Sequence, residues 1–258
     1  MKTYNKNFIL SFKNDNEPVT EADIESNKII QESIYEFGYP ILSEESIDNI
    51  KRLEHEKIWI VDPLDGTSDF VKKTGEFTIM IGLVRNHIPE LGIIYWPTRN
   101  LLYLAQKSQG AYQFDGTRWS MLHVSNLSRL DECSAVGSRF HISENERVLL
   151  KQFKIAKFTS RGSSLKAIDV CSGNAELYFT TSNKIKQWDT CASYCLVTEA
   201  GGKITDMLGC KLSYNTKNLN HENGILITNS LIHDKILNIY RKFLKIANKD
   251  FKTQKTFY

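Results

Sequence analysis

Apolar positions recur at helical spacing early in the chain and then give way to short runs. In "TEADIESNKIIQESIYEFG", Ile30, Ile34 and Phe37 fall at i, i+4 and i+7, which predicts an amphipathic helix capped by Thr20 and ended by Gly38 and Pro40. A strand at Phe8 to Phe12 and the polar turn "KNDNEP" precede it. Then come "KIWIV", "FTIMIGLV", "LGIIYW", "NLLYLAQ" and "GAYQF", strand-like runs parted by turns such as "RNH" and "PTRN". They read as an antiparallel, helix-poor stretch. From about residue 130 strand and helix alternate. "SAVGS" leads to a helix with a capping box at Ser143 and Glu146, "IAKFTS" to one at "SLKAIDVCSG", and "AELYF" to one starting near Asp189 and stopping at Gly201 and Gly202. "LIHDKILNIYRKFLKI" is the last helix, and the tail "ANKDFKTQKTFY" reads as loose. The pattern predicts an α+β segment over residues 1–129 joined to a partly parallel α/β segment over 130–258.

Composition narrows the function classes. With 41% hydrophobic and 24% charged residues the chain is an ordinary globular protein. Its net charge of +3 is spread without a basic block, which argues against a nucleic-acid duplex and leaves an acidic small molecule as a partner. The start has only three consecutive apolar residues, and no later run is long enough for a transmembrane segment, so the sequence reads as cytoplasmic. Five cysteines without a Cys-x-x-Cys pair argue against a disulfide framework and a structural zinc site. Cys191 and Cys195, one helical turn apart, read as small core residues.

Chemistry concentrates in carboxylates. "IWIVDPLDGTSDF" places Asp62 and Asp65 three positions apart after an apolar run, where they serve either as turn residues or as ligands. Asp23 at a helix start, Glu44 in "PILSEES" and Asp189 in "KQWDTCAS" also sit at element ends. Each has a structural explanation: Asp23 complements a helix dipole, Glu44 is solvated, and Asp189 is an N-cap. Together such groups suit Mg²⁺, a hard cation that takes oxygen ligands. Spacing alone does not bring them together.

The segments "PVTEAD", "PILSEES", "WIVDPLDGTSDF", "GEFTIMIGLV", "SRFHIS", "GSSLK" and "WDTCASYCLVTEAGG", in that order, give the chain a specific likeness. It resembles the inositol monophosphatase superfamily of lithium-sensitive, magnesium-dependent phosphatases, and within it the 3′(2′),5′-bisphosphate nucleotidases of the bacterial CysQ type. The resemblance implies a layered αβαβα sandwich and a site with two or three Mg²⁺ ions. Glu44, Asp62 and the Leu64 carbonyl would bind one ion, and Asp62, Asp65 and Asp189 would share a second. The Thr67 hydroxyl, near Asp23 and Glu44, would orient and help deprotonate the attacking water. Gly66, Thr67 and the following amides would open a helix toward the phosphate.

Ser163, Lys166 and His141 match substrate contacts of the nucleotidases, so the resemblance implies release of the 3′-phosphate from adenosine 3′,5′-bisphosphate, a by-product of sulfate assimilation, or from its sulfated precursor. On the residues alone, Ser163 or Ser164 caps the next helix, Lys166 is solvated and His141 lies on the surface. Thr180 in "AELYFT" departs from both the glutamate of the inositol enzymes and the arginine of the nucleotidases, with Lys184 or Lys186 as replacement charge. Only 17 residues precede Pro18, so the family's first helix is expected to be missing. The alternatives are an inositol monophosphatase or broad sugar phosphatase, and a catalytically weak nucleotide-binding protein. A homodimer and loose attachment to the inner face of a membrane are left open.

Overall fold

The computed structural model describes residue 1 and residues 3–6, 10–12 and 18–254. Strand β1 (Leu10–Phe12) pairs antiparallel with β2 (Pro18–Thr20). Phe8, Ile9 and residues 13–17, on which the predicted first strand, its turn and the missing helix partly depend, lie outside the described residues.

Seven strands form the larger sheet: β3 (Ile41–Ser43), β4 (Lys57–Asp65), β5 (Thr78–Arg85), β6 (Ile88–Trp96), β7 (Leu101–Gln106), β8 (Gly110–Phe114) and β9 (Trp119–Met121), side by side in that order. All neighbours are antiparallel except β3 and β4, a parallel pair within the stretch read as antiparallel. The smaller sheet has β10 (Ser134–Ser138), β11 (Lys157–Arg161), β12 (Leu177–Thr180), β13 (Lys203–Thr205) and β14 (Ile225–Thr228) in the order β11-β10-β12-β14-β13. Only its β11-β10-β12 part is parallel. Six α-helices complete the described chain: α1 (Glu21–Ile34), α2 (Thr67–Val71), α3 (Glu144–Phe153), α4 (Leu165–Cys171), α5 (Cys191–Glu199) and α6 (His233–Gln254).

Strand alternation sets the layers, because successive side chains point to opposite faces of a sheet. Trp59 and Val61 face α1 with Ile30 and Ile34, whereas Ile58 and Ile60 join a central core with Cys191, Cys195 and Leu196 of α5. In the smaller sheet Tyr178, Ile225 and Ile227 turn to that central core. Leu177, Phe179 and Leu226 turn outward to Leu149 and Phe153 of α3 and Ile236 of α6. The result is the αβαβα sandwich: α1, large sheet, α4 with α5, small sheet, α3 with α6. Close approach of α5 depends on two paired glycines, Gly82 and Gly92. A Cβ on Gly82 would overlap Cys191 Sγ, and one on Gly92 would overlap the Ala192 carbonyl.

Several sequence expectations change here. Phe37 is exposed on its 3₁₀ turn, although its ring meets Trp59 edge-on at 5.8 Å. The tail read as loose continues α6 to Gln254, and residues 255–258 lie outside the described residues. Asp62 and Asp65 do not follow the strand but end it, in a bulge where Asp62 pairs with Met80 and Asp65 with Thr78. Pro63, without an N–H to donate, fits the bulge, where the ladder is interrupted. All five cysteines are free and four are buried, including Cys191 and Cys195.

Candidate active site

A cleft of about 340 Å³ opens where the large sheet's β4–α2 corner meets the first strands and α4 of the small sheet's segment. Glu44, Asp65, Gly66, Thr67 and Asp189 line it, as do Ser163 and Lys166. The β4 bulge supplies Asp65 to the cleft and holds Asp62, which is not among the lining residues. Asp62, 1% exposed, accepts a 3.0 Å hydrogen bond from the Leu64 amide. Burial, and then the charges of Glu44, Asp65 and Asp189, push its carboxyl well above the ordinary carboxylate range. Gly66 follows at φ +92°, a left-handed conformation natural to glycine, and starts α2. A Cβ there would crowd Ser163 Cβ at 3.0 Å and the Glu76 carbonyl at 3.2 Å.

Helix α1 brings Asp23 to the same corner. Its Oδ2 completes a capping box with Thr20, accepting from the Thr20 amide at 2.7 Å and from its hydroxyl at 2.6 Å. Its Oδ1 accepts from Thr67 Oγ1 at 3.2 Å, and that hydroxyl also lies 3.4 Å from the Leu64 carbonyl. Asp23 therefore does more than complement a helix dipole. Burial raises its pKa against the lowering effect of the Thr20 and Thr67 bonds.

The opposite wall is the loop between β11 and α4. The Ser164 amide donates to Asp65 Oδ2, and Lys166 Nζ donates to the Ser163 carbonyl. Lys166 is only 9% exposed, so it is not the solvated lysine of the simplest reading. Burial lowers its pKa while Asp65, Asp69 and Asp189 hold it up. Ser164 occupies the N-cap position of α4 without a side-chain capping bond, so neither serine is there as a cap through its hydroxyl. Asp189 also does not cap: Thr190 is the N-cap residue of α5, and Asp189 Oδ2 accepts from the Lys186 amide at 2.7 Å. His141 is exposed on the cleft rim, its amide donating to Ser138 Oγ at 3.0 Å. Thr180 turns its hydroxyl to Glu146 Oε1 at 2.7 Å, which puts a carboxylate on the cleft wall. Lys184 also lines the cleft.

Against known proteins, the sequence pattern of the inositol monophosphatase family matches residues 2–244. The chain belongs to the inositol monophosphatase family. Its curated relatives include a 3′(2′),5′-bisphosphate nucleotidase CysQ of Buchnera aphidicola, 36% identical over 224 residues that cover 83% of this chain and 81% of the relative. Among solved structures, CysQ from Bacteroides thetaiotaomicron is 29% identical with a TM-score of 0.74, covering 84% of this chain and 87% of that one. The Thermotoga maritima IMPase is 26% identical with a TM-score of 0.78, covering 92% and 89%. The likeness read from the seven segments, and the layered fold it implied, are borne out.

The residues present suit a divalent cation. Asp62 is a buried carboxylate in the field of three others, and the donors around it are oxygens, the chemistry that Mg²⁺ takes. The fit is one of donor chemistry: among the described residues no three acidic, histidine or cysteine side chains are already gathered into a ligand cluster. Asp65 and Asp189 are instead bonded to main-chain amides, as like charges at close quarters favour. Sequence reasoning missed part of the site. The sequence marks Glu146 only as a capping residue and gives no signal for Asp69, Arg139 or Arg161. The "GEF" motif was the one pointer to that second group, through Glu76, whose carboxylate Arg139 and Arg161 share.

Proposed function

We propose that this chain is a Mg²⁺-dependent 3′(2′),5′-bisphosphate nucleotidase that releases the 3′-phosphate of adenosine 3′,5′-bisphosphate, leaving AMP. The carrying observation is Asp62, whose ionised form is disfavoured first by burial and then by the charges of Glu44, Asp65 and Asp189. That repulsion is relieved by a cation. Relatives named as nucleotidases support the substrate class.

In this reading Glu44, Asp62, the Leu64 carbonyl, Asp65 and Asp189 hold two or three Mg²⁺ ions. Bound Mg²⁺ supplies Lewis-acid stabilisation of the phosphoryl group and lowers the pKa of the attacking water. The chain's own residues do the rest. Thr67 Oγ1, with its hydrogen committed to Asp23, has lone pairs left to accept from that water. Asp23, its pKa raised by burial, is the better proton acceptor behind it. Gly66 leaves room for the phosphate beside the amides that open α2. Lys166 and Ser163, with His141 at the rim, bind the remainder of the nucleotide. Water's oxygen forms the new bond to phosphorus as the bond from phosphorus to the 3′-oxygen breaks; a proton of that water passes toward Asp23, and the departing 3′-oxygen takes up a proton from solvent.

One observation favours a second reading. Glu146 puts a carboxylate on the cleft wall, as suits a polyol monophosphate, although its Oε1 already accepts from the Thr180 hydroxyl and the Thr181 amide and its Oε2 from the Ser143 amide. Comparing Lys166→Ala with the wild type on adenosine 3′,5′-bisphosphate and inositol 1-phosphate separates them. The nucleotidase reading expects kcat/KM to fall at least about tenfold more on the bisphosphate, as for a lost charge-assisted contact. Equal losses on both substrates would sink it.

A further inference from the structure

The cleft's binding side is clasped by a residue from the other sheet's segment. Glu76 lies in the short loop between α2 and β5, yet its carboxylate is bonded almost wholly by the small sheet's segment. Oε2 accepts from the Gly162 amide at 2.8 Å and from Arg139 Nη2 at 2.5 Å, while Oε1 accepts from Arg161 Nη1 at 3.0 Å. Arg161 in turn forks onto Asp169 of α4, through Nε at 2.9 Å and Nη2 at 3.2 Å. Glu76's own loop is tied down in its turn: the Gly75 carbonyl accepts from Trp96 Nε1 and Thr98 Oγ1, each at 2.7 Å, and the Glu76 amide donates to Thr74 Oγ1.

Each donor adjoins a cleft residue. Gly162 precedes Ser163, which sits at φ +47° in the left-handed region and needs its neighbours to keep it there. Arg139 lies two residues before His141 and is 35% exposed. Gly162 itself has no room for a side chain, since a Cβ would meet Asp69 Oδ2 and the Glu76 carbonyl, each at 2.6 Å. Three charged or main-chain donors on one carboxylate form a stiff joint, because charge-assisted bonds in a partly dry site are the stronger kind. Burial pushes the Glu76 pKa up, but the bonds from Gly162, Arg139 and Arg161 outweigh it and hold the carboxyl below the ordinary range. It is therefore ionised, as the clasp requires.

We infer that Glu76 is a positioning residue that sets the two substrate loops, 138–142 and 162–166, against the metal side of the cleft. This rests on the proposed phosphatase site but not on which phosphate ester fills it.

The test compares wild type with Glu76→Gln and Arg139→Gln in the full chain, with Mg²⁺ present, on whichever of adenosine 3′,5′-bisphosphate and inositol 1-phosphate the wild type hydrolyses faster. Glu76→Gln keeps the volume but turns an amide toward the donors. KM should rise about tenfold with kcat within about threefold, and Arg139→Gln, at an exposed position, should raise KM about threefold. Hydrogen exchange without substrate provides a readout independent of turnover. Amides 138–142 and 162–166 should exchange faster in Glu76→Gln while those of 57–62 stay as protected as in the wild type. Faster exchange everywhere with KM unchanged would overturn the inference and leave Glu76 a purely structural residue. Unchanged KM in both variants with unchanged exchange would overturn it too. A wild type that hydrolyses neither ester fails the function reading instead, and the exchange comparison alone then decides the clasp.

Discussion

Thr67 Oγ1 and Asp23 Oδ1, 44 residues apart in the chain, meet at 3.2 Å and join the start of α2 to the first turn of α1. One aspartate thus serves two ends: its other oxygen closes the capping box on Thr20.

The pair predicts a division of effects. Thr67→Val, nearly isosteric, should lower kcat by about 10²-fold to 10⁴-fold, the range for a lost proton-transfer group, with little change in folding. Asp23→Asn should do the same and also cost about 1 kcal/mol of stability through the cap. Steady-state kinetics beside urea unfolding checks both. A Thr67→Val enzyme with wild-type kcat would remove the hydroxyl from the mechanism.

Gly92→Ala addresses the packing that carries Asp189 to the site. The added methyl would overlap the Ala192 carbonyl on α5, and the neighbouring Cys195 Cβ lies at 3.0 Å. Overpacking of this kind should cost about 1–3 kcal/mol. Equilibrium denaturation measures it, and a midpoint equal to wild type would mean that α5 and the sheet do not meet this closely.

Two buried histidines set part of the acid limit. His233 lies between the Thr205 and Thr228 hydroxyls at 3.0 and 2.9 Å, and His221 meets Thr190 Oγ1 at 2.8 Å. Burial lowers both pKa values from 6.5 to about 4. The unfolded chain takes up protons as pH falls through 6.5, whereas the folded protein resists until about 4, so these groups make stability fall between those values as pH drops. Above 6.5 they contribute no slope. The raised carboxylates act with the opposite sign, so the measurement is the difference between wild type and His233→Gln from pH 7.5 to 4.5. That difference should narrow as pH falls, and a constant difference would contradict the histidine's part.

Much of this architecture was legible because its signals are local. Thr20 with Asp23, and Ser143 with Glu146, mark helix starts within four residues, and both capping boxes form. Strands β5, β6 and β7 announce themselves by the apolar stretches "TIMIGLV", "LGIIYW" and "LLYLA". Three-residue strands such as β3 and β13 carry too few positions for alternation to show, and α6 extends over polar residues that carry no loop signal of their own. In the site, the carboxylates were visible through their motifs, but a bulge was mistaken for a turn because Asp-Pro and Asp-Gly serve in both. Pairings such as Glu76 with Arg161, or Thr180 with Glu146, depend on how two sheets face each other. No spacing along one chain encodes that.

In the proposed function, a cation held by this acidic corner drives phosphate release from a nucleotide. The most direct measurement is phosphate liberated from adenosine 3′,5′-bisphosphate by the purified protein, with Mg²⁺ and with a chelator, in the wild type and Asp65→Asn. Release should need Mg²⁺, be abolished by chelation and be lost in the variant. Release that persists under chelation, or an Asp65→Asn protein as active as the wild type, would contradict that function.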